Sequence, residues 1–428
     1  MTAIGELSSD GRLHLAYEGE VVANLSMEFL HGGLPCRVLR AEWREPALPR
    51  RAEADEPNGE ALGEILLEIL AHPNVRSKED VVRRYDHEVQ GGTVVKPFVG
   101  VREDAPADAA VLRPVETASW QGLALGCGFN PAYGAIDPYA MAVSAIDEAV
   151  RNVVAVGADP DRIAILDNFC WGNPLQPDRL GDLVRACKGC YDGALQYGTP
   201  YISGKDSLNN EYLDQATGKQ VSIPPSLLIS ALGIVPDVRR AVTSDLKANG
   251  HLLYLVGETR RELGGSYYYR VRGLRDRSVP GAAAQGPQIA RTLHRAISDG
   301  LIASCHDLSE GGLGVAAAEM VLGSPYGAEI RLGFVPTETG VRKDDDWRLF
   351  SESNGRYLVE VAPKDAVAFE RLFAGLPYGR LGHITTAPTL KVFAGAGRVL
   401  MNLPLERLRE AWNGHLEAAR AGEEESHG

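Results

Sequence analysis

The stretch DPYAMAVSAIDEAVRNVVAV, residues 137–156, constrains this chain most. It reads as one long helix. Asp137 suits the N-cap, where a side-chain oxygen accepts from an open backbone N–H, and Pro138 suits the first helical position. Around it, from about 94 to 245, strands alternate with long helices: RIAIL, a helix over 177–197, PYISG, and strands within 226–235. GHLLYLVGE (250–258) opens a second region of the same kind, with a helix near 286–299, the stretch IASCHDLSEGGLGVAAAEMVLG, a strand at 356–361 and a helix at 364–374. This predicts an α/β (α+β) fold class with two such domains, 93–245 and 246–405.

The flanks read differently. Residues 11–33 alternate apolar and polar positions around glycine turns, as two or three strands too short to close a domain. They belong to a strand segment, 1–40. Linker helices, 41–92, follow: a Pro- and Glu-bearing stretch over 41–59, EALGEILLEILAH with helical spacing over 60–72, and SKEDVVRRYDHEV with Ser77 as its N-cap. The charged tail, 406–428, is expected to fray. There is no short repeat.

Composition excludes several classes. The 428 residues are 44% hydrophobic, enough for two or three cored domains. With 57 acidic against 44 basic residues the net charge is −13, which argues against binding nucleic acid, though not against nucleotides held by local loops. No apolar run reaches the ~18–20 residues of a membrane span, and the start, MTAIGELSSDGRL, is not a signal peptide, so the chain reads as cytoplasmic. Four of six cysteines are scattered, as suits a reducing compartment. Cys187 and Cys190 form a CxxC, but a zinc site lacks a second pair and a redox pair lacks a helix start, so packing within a helix is the better reading.

Four polar constellations stand out. Asp108 precedes the apolar AAVL, where a carboxylate at a strand edge could hold Mg²⁺ or merely close a turn. Glu148 and Asn152 share a helix face among Ala145, Ala149, Val153 and Val156; they form either a structural pair or a shared metal site. Asp167 in DNFCWGNP and Gly204 in SGKDSLNNE are both expected at strand ends, where open sheets gather ligands. HDLSEGGLG (306–314) places Gly311 and Gly312 before a helix, whose free N–H groups would favour an anion. Together these suggest a nucleotide site of oxygen ligands and glycine turns.

The stretches VVANLSMEFLHGGLP, YDHEVQGGTVV, DAAVLRP, NPAYGAIDPYAMAVSAIDEAVRNVVAVGADP, DNFCWGNP, SGKDSLNNE, HDLSEGGL and FSESNGRYLV occur in this order up to about residue 400. In that order they resemble the synthetase of phosphoribosylformylglycinamidine synthase, within the aminoimidazole ribonucleotide synthetase-like superfamily. That synthetase is a tandem duplication, and the resemblance covers its second half only. Residues 1 to about 35 resemble the tail of the first half. The initiating Met and the charged tail favour a natural split subunit over an excised fragment.

The resemblance implies a reaction. Formylglycinamide ribonucleotide, ATP and glutamine-derived ammonia become formylglycinamidine ribonucleotide, ADP and phosphate, with Mg²⁺ neutralising phosphate charge. It implies an ATP-binding domain followed by a second α/β domain. It assigns Asp167, Gly204 and, as a variant of the usual Asn, Lys205 to ATP, and Ser207 to substrate, with Asp206 able to replace the missing metal ligand. It assigns Asp108, Glu148, Asn152 and Asp307 to an auxiliary Mg²⁺ that holds ADP or ATP, with Ser309 beside the nucleotide. His87 would be a structural or nucleotide contact, and Glu352 to Asn354 polar loop groups. The implied partners are a first-half synthetase chain, a glutaminase subunit and a small bridging subunit, with no nucleic acid and no membrane. Two rivals stay open: a stand-alone homodimeric kinase or synthetase of the same superfamily, and a non-catalytic, nucleotide-loaded structural subunit.

Overall fold

The computed structural model describes residues 1–52, 57–338 and 344–414. They form two units, Met1–Ala41 and the chain from Glu42 onward. In the first, β1 (Arg12–Tyr17) and β2 (Glu20–Ser26) pair antiparallel. Glu18 and Gly19 make the turn between them with φ of 50° and 87°, the left-handed pair that a two-residue hairpin demands. The expected third strand is instead α1 (Met27–Gly32), because Ser26 accepts from the Phe29 N–H and starts a helix. No residue of this unit is buried.

The second unit opens with α2 (Gly59–Ala71), capped by Asn58. The helix expected after Ser77 is a single turn, α3 (Glu79–Val82). Ser77 does accept from the Glu79 N–H at 3.3 Å, but no residue of α3 is buried and Asp86 turns left-handed at φ 36°, so nothing prolongs it. Then come β3 (Thr93–Val95), the small pair β4 (Phe98–Val99) and β5 (Ala105–Pro106), β6 (Ala110–Leu112), β7 (Gly122–Phe129), α4 (Pro131–Gly134) and α5 (Pro138–Ala155). Asp137 caps α5 as predicted, accepting from the Tyr139 and Ala140 N–H groups, and also grips Arg185 through two bonds of 2.7 Å. After β8 (Ile163–Cys170), α6 (Pro177–Tyr197), β9 (Tyr201–Ser207) and the short hairpin β10 (Glu211–Leu213) and β11 (Gln220–Ser222) comes β12 (Ser226–Val235).

These strands build a six-stranded sheet in the order β3-β6-β7-β12-β8-β9, antiparallel except for the β8–β9 edge pair that α6 connects. α5 and α6 cover one face. The β7 residues on that face are Gly122, Ala124, Gly126 and Gly128, small enough for α5 to press against the backbone; a Cβ on Gly128 would lie 2.1 Å from the Ala145 carbonyl oxygen. The opposite face is open, and Leu125 and Phe129 are 43% and 42% exposed there.

The second sheet uses β13 (Leu252–Val256), β14 (Ser304–Asp307), β15 (Gly327–Arg331), β16 (Tyr357–Val361), β17 (Tyr378–Thr385), β18 (Thr389–Phe393) and β19 (Val399–Pro404), in the order β14-β16-β13-β17-β15-β18-β19. Between them lie α7 (Tyr267–Val271), α8 (Gly286–Ser298), α9 (Gly312–Leu322), α10 (Asp345–Phe350) and α11 (Ala366–Leu372). Tyr254 and Val359 pack toward α5, α8 and α11, whereas Leu253 and Leu358 pack toward α2, α9 and α10. Both sheets are mostly antiparallel, so the α+β form of the expected class is the one observed. The tail does not fray from 406: residues 405–414 are helical, Leu408 and Trp412 are buried, and the Trp412 indole donates to the Asp104 carbonyl at 3.2 Å. Residues 415–428 lie outside the described residues.

One carboxylate ties the segment before β13 to the sheet. Glu360 on β16, fully buried, accepts from the Lys247 and Ala248 N–H groups at 2.8 and 3.1 Å, from His251 Nδ1 at 2.7 Å and from Ser304 Oγ at 2.8 Å. Glu360→Ala strands these donors and should cost about 3–5 kcal/mol, with Glu360→Gln recovering part of it. Urea unfolding of both variants checks this.

Candidate functional site

The fold brings α5 against β14 and the turn before α9. α5 is buried nearly all round, yet carries Asp147, Glu148 and Arg151 inward. Arg151 is the central cation on α5. Its guanidinium pairs with Asp147 one turn away, reaches Asp307 Oδ2 at 3.2 Å and touches Asn354 Oδ1 at 3.4 Å. Asp307 closes β14 beside Asp108, whose Oδ1 accepts from the Asp307 N–H and from His306 Nδ1, both at 2.8 Å. His306 Nε2 meets Glu319 at 2.9 Å. With a carboxylate on each ring nitrogen, His306 is an imidazolium; burial opposes its charge, but Asp108 and Glu319 outweigh that and hold its pKa well above the ordinary range.

Asp108 Oδ2 is buried with no partner, and one ligand atom each from Asp108, His306 and Asp307 lies within 4.8 Å of the others. His306 is committed to two carboxylates, so the oxygens of Asp108 and Asp307 are what remains to face a cation. The unpartnered buried oxygen and the oxygen-only donor set fit Mg²⁺, which prefers hard ligands. Glu148 lies farther along α5, accepting from the Phe129 N–H at 3.0 Å and from the Asn130 amide at 3.4 Å. Burial pushes its pKa well up, and Glu310 and Asp307 add to that against Arg151. The Asn152 amide donates to the Cys127 carbonyl at 2.7 Å, so only its oxygen is open to a metal.

Ser309, Glu310, Glu148, Arg151, Tyr133 and Glu352 border a cavity of about 40 Å³. That space holds a few waters. The glycine turn beside it differs from expectation. Gly311 and Gly312 are left-handed, at φ 72° and 61°, but their N–H groups are not free. Gly312 donates to the Ser309 carbonyl and Gly311 to Glu352 at 2.8 Å, so the anion at this turn is the protein's own. Glu352 also accepts from the Tyr267 N–H at 2.9 Å and the Tyr133 hydroxyl at 2.5 Å.

The second group of predicted residues lies on the β8–β9 edge. SGKDS is not a loop after the strand; it is the strand, and Asp167 sits within β8 rather than at its end. Asp167 pairs with Gly204, and a Cβ on Gly204 would meet the Asp167 carboxylate at 2.4 Å, so a larger residue there would push that carboxylate aside. Burial raises the Asp167 pKa, and Asp206 raises it further. Lys205 and Ser207 alternate with Gly204 and Asp206 and so point to the open face of the sheet, where the Lys205 ammonium donates to Ser207. Asp167 and Gly204 thus share one face, and Lys205 and Ser207 the other. His87 lies in the loop after α3, 3.7 Å from Glu88. In the CxxC, Cys190 is buried as expected but Cys187 is exposed. Cys127 is exposed on the open face of the first sheet.

Sequence reasoning missed Arg151, Asp147 and His306. Asp147 and Arg151 carry a visible signal, opposite charges four residues apart on a helix otherwise apolar. His306 gave none beyond its place next to Asp307.

Residues 106–235 match the AIR synthase related protein N-terminal domain and residues 248–395 the AIR synthase related protein C-terminal domain. The chain belongs to the AIR synthase related family. Among curated relatives it is similar to "Phosphoribosylformylglycinamidine synthase subunit PurL" of Methanothrix thermoacetophila, 34% identical over 98% of this chain and 52% of that protein. Among solved structures it is similar to "T. maritima PurL complexed with FGAR", with TM-score 0.63 and 18% identity over 81% of this chain and 53% of the other. It is also similar to "T. maritima PurL complexed with ATP", with TM-score 0.59 and 18% identity over 81% and 52%. The chain spans about half the length of the curated relatives it matches. No helix among the described residues is long and apolar enough to cross a membrane.

The buried acids make stability depend on pH. Burial pushes Glu352 up to about 7, against the hydrogen bonds it accepts from Tyr133, Gly311 and Tyr267. The folded chain then binds that proton more tightly than the unfolded chain, whose glutamate titrates near ~4.3. The stabilisation is present below the unfolded value and is lost as pH rises to about 7. Melting in chelator from pH 5 to 8 should show falling stability that levels off at the top, with a shallower slope in Glu352→Gln.

Proposed function

We propose that this chain is the second-half subunit of phosphoribosylformylglycinamidine synthase, completing an active site with a first-half synthetase chain and holding an auxiliary magnesium nucleotide of its own. The observation that carries this reading is the state of the β8–β9 edge. Lys205 and Ser207 lie on the same uncovered sheet face as exposed Leu125 and Phe129, with two strands between them, which supports a site and an interface shared with a partner. In this reading Asp167 and Gly204 face ATP from one side of the strand edge and Ser207 faces formylglycinamide ribonucleotide from the other, with the long Lys205 side chain reaching ATP around the edge from the Ser207 side. Ammonia comes from a glutaminase subunit, with a small bridging subunit joining the assembly. The six unpaired cysteines suit a cytoplasmic enzyme.

Asp108 and Asp307, with Glu148 and the Asn152 oxygen, would hold Mg²⁺, which supplies charge neutralisation for the phosphates of ADP or ATP. Ser309 lies at the cavity beside them. Arg151 fixes Asp307 from one side, and the N–H of Asp307 with His306 fixes Asp108 from the other. The cavity must widen to admit a nucleotide, and the Glu352 carboxylate must then yield the Gly311 N–H or share it. The homodimeric reading has the same open face in its favour and is separated by activity alone.

The purified chain should not form formylglycinamidine ribonucleotide even with ammonium supplied, and a first-half chain should restore turnover. Robust activity from the single chain would favour the homodimer. With the partner present, Ser207→Ala should weaken substrate binding by about 0.5–1.5 kcal/mol, while Asp167→Asn should raise the ATP requirement or lower turnover. Parental kinetics in both would refute the role given to the β8–β9 edge.

Mg-ADP at ~100 times its dissociation constant should stabilise the chain by about 2.7 kcal/mol, and Asp307→Asn should abolish that gain. A melting curve indifferent to Mg-ADP in the parent chain would remove the auxiliary site.

A further inference from the structure

The stretch RVRGLRDR (270–277) sets four arginines close together in a chain whose net charge is −13. Two of them are engaged. The Arg272 guanidinium donates to the Tyr268 hydroxyl at 2.6 Å and lies 5.2 Å from the centre of that ring. Arg277 pairs with Glu45. The other two, Arg270 and Arg275, are exposed and have no ion pair or side-chain hydrogen bond among the described residues. Arg270 has the Tyr267 ring at 6.0 Å. Asp276, next to Arg275 in sequence, is fully buried and already satisfied. It accepts from the Ala52 N–H at 3.0 Å, the Ser278 N–H at 2.8 Å and the Ser278 hydroxyl at 2.6 Å.

The two open arginines border one cavity, of about 470 Å³. Gly273, at φ 66°, turns the chain back after α7, so that Arg270 and Arg275 reach the same space. No acidic side chain is among the described residues that line it, and Leu48, Ile136 and Leu274 give it apolar walls. Leu48 belongs to a strap tied down on both sides. The Glu42 N–H donates to the Pro177 carbonyl at 2.8 Å, and the Arg277 N–H donates to the Pro49 carbonyl at 2.9 Å. The hydroxyls in the wall are committed. Ser266 accepts from the Tyr269 N–H at 3.2 Å, and the Tyr269 hydroxyl bonds to Asp276. The cavity thus offers two unpaired cations and an apolar body. A concave, mostly apolar space of this size with a few convergent polar groups is the usual form of a small-molecule site.

We infer that this cavity binds a small organic anion. A phosphate or carboxylate head would lie between Arg270 and Arg275, where each guanidinium can offer paired N–H donors to two oxygens. The body would lie against Leu48, Ile136 and Leu274. With the wall hydroxyls committed, an aromatic or aliphatic body fits better than a polyhydroxylated one. The acids proposed to hold Mg²⁺ line no part of this space, although Arg270 and Gly265 border both cavities.

Titration calorimetry of the full chain tests it. Phenyl phosphate and benzoate distinguish the two heads, while inorganic phosphate and benzyl alcohol each supply one half of the ligand. One of the two anions should bind once per chain, at least tenfold more tightly than either half alone. Arg270→Gln with Arg275→Gln should weaken that binding at least tenfold while melting like the parent, since both side chains are exposed. Ile136→Trp should fill the cavity and block binding; if it unfolds by circular dichroism, Leu274→Trp replaces it. Arg291→Gln with Arg295→Gln removes the same charge from α8, outside the cavity lining, and should leave affinity within about twofold. Asp307→Asn should do the same, which places the ligand outside the acidic cavity. No saturable binding of either anion overturns the inference. So does parental affinity in the Arg270 and Arg275 double variant, an equal loss in the α8 pair, or benzyl alcohol binding as tightly as the anions.

Discussion

Arg151 is the charge around which the interior is arranged. It is fully buried, and Asp147, Asp307 and Asn354 converge on it from α5, β14 and the loop before β16. An arginine so placed is tolerable only if its donors are met, and acids so crowded are tolerable only beside a cation. Each therefore requires the other. The arrangement leaves Asp108, Glu148, Glu310 and Glu352, with His306 and Arg356 as further buried basic groups near them. Burial raises the pKa of Glu148, Glu310 and Glu352, so the folded chain either keeps protons there or meets a positive ligand.

The elements that hold this centre were largely legible in the sequence. α5, α6, α8, β12 and β16 lie where periodicity and capping placed them, because their apolar residues have one place to go. Misreadings came where polarity was taken for solvation or frailty. GKDS looked like a loop because it has no buried face, but an edge strand needs only one neighbour, and β8 supplies it. The segment after 405 looked like a frayed tail because it is charged, yet Leu408 and Trp412 anchor it. The glycines at 311 and 312 were read correctly as a tight turn. What sequence could not reveal is that an acid 40 positions later, Glu352, already fills the turn.

The same limit applies to the site. Asp108 and Asp307 are 199 residues apart, and their shared contact depends on the second sheet packing against α5. Local sequence gave each a polar neighbourhood, and only the ordered set of motifs tied them together. Asp167 with Gly204, and Lys205 with Ser207, follow from strand alternation once β9 is known to be a strand. Before that, Gly204, Lys205 and Ser207 were three residues of one polar run, and Asp167 belonged to another.

The small residues along β7 bear on motion. Since α5 rests on the backbone at Gly126 and Gly128, it has no side-chain cushion on which to slide or roll. Its other side is locked to β14 through Arg151. With the helix and both sheets tied together, breathing of the 40 Å³ cavity falls to its rim: the segment around Asn74, the turn at Ser309 and Glu310, and Gly265 with the short helix α7 after it. Ligand entry would be paced by short hinges at the rim, leaving the acids on α5 at a constant distance from the sheet throughout.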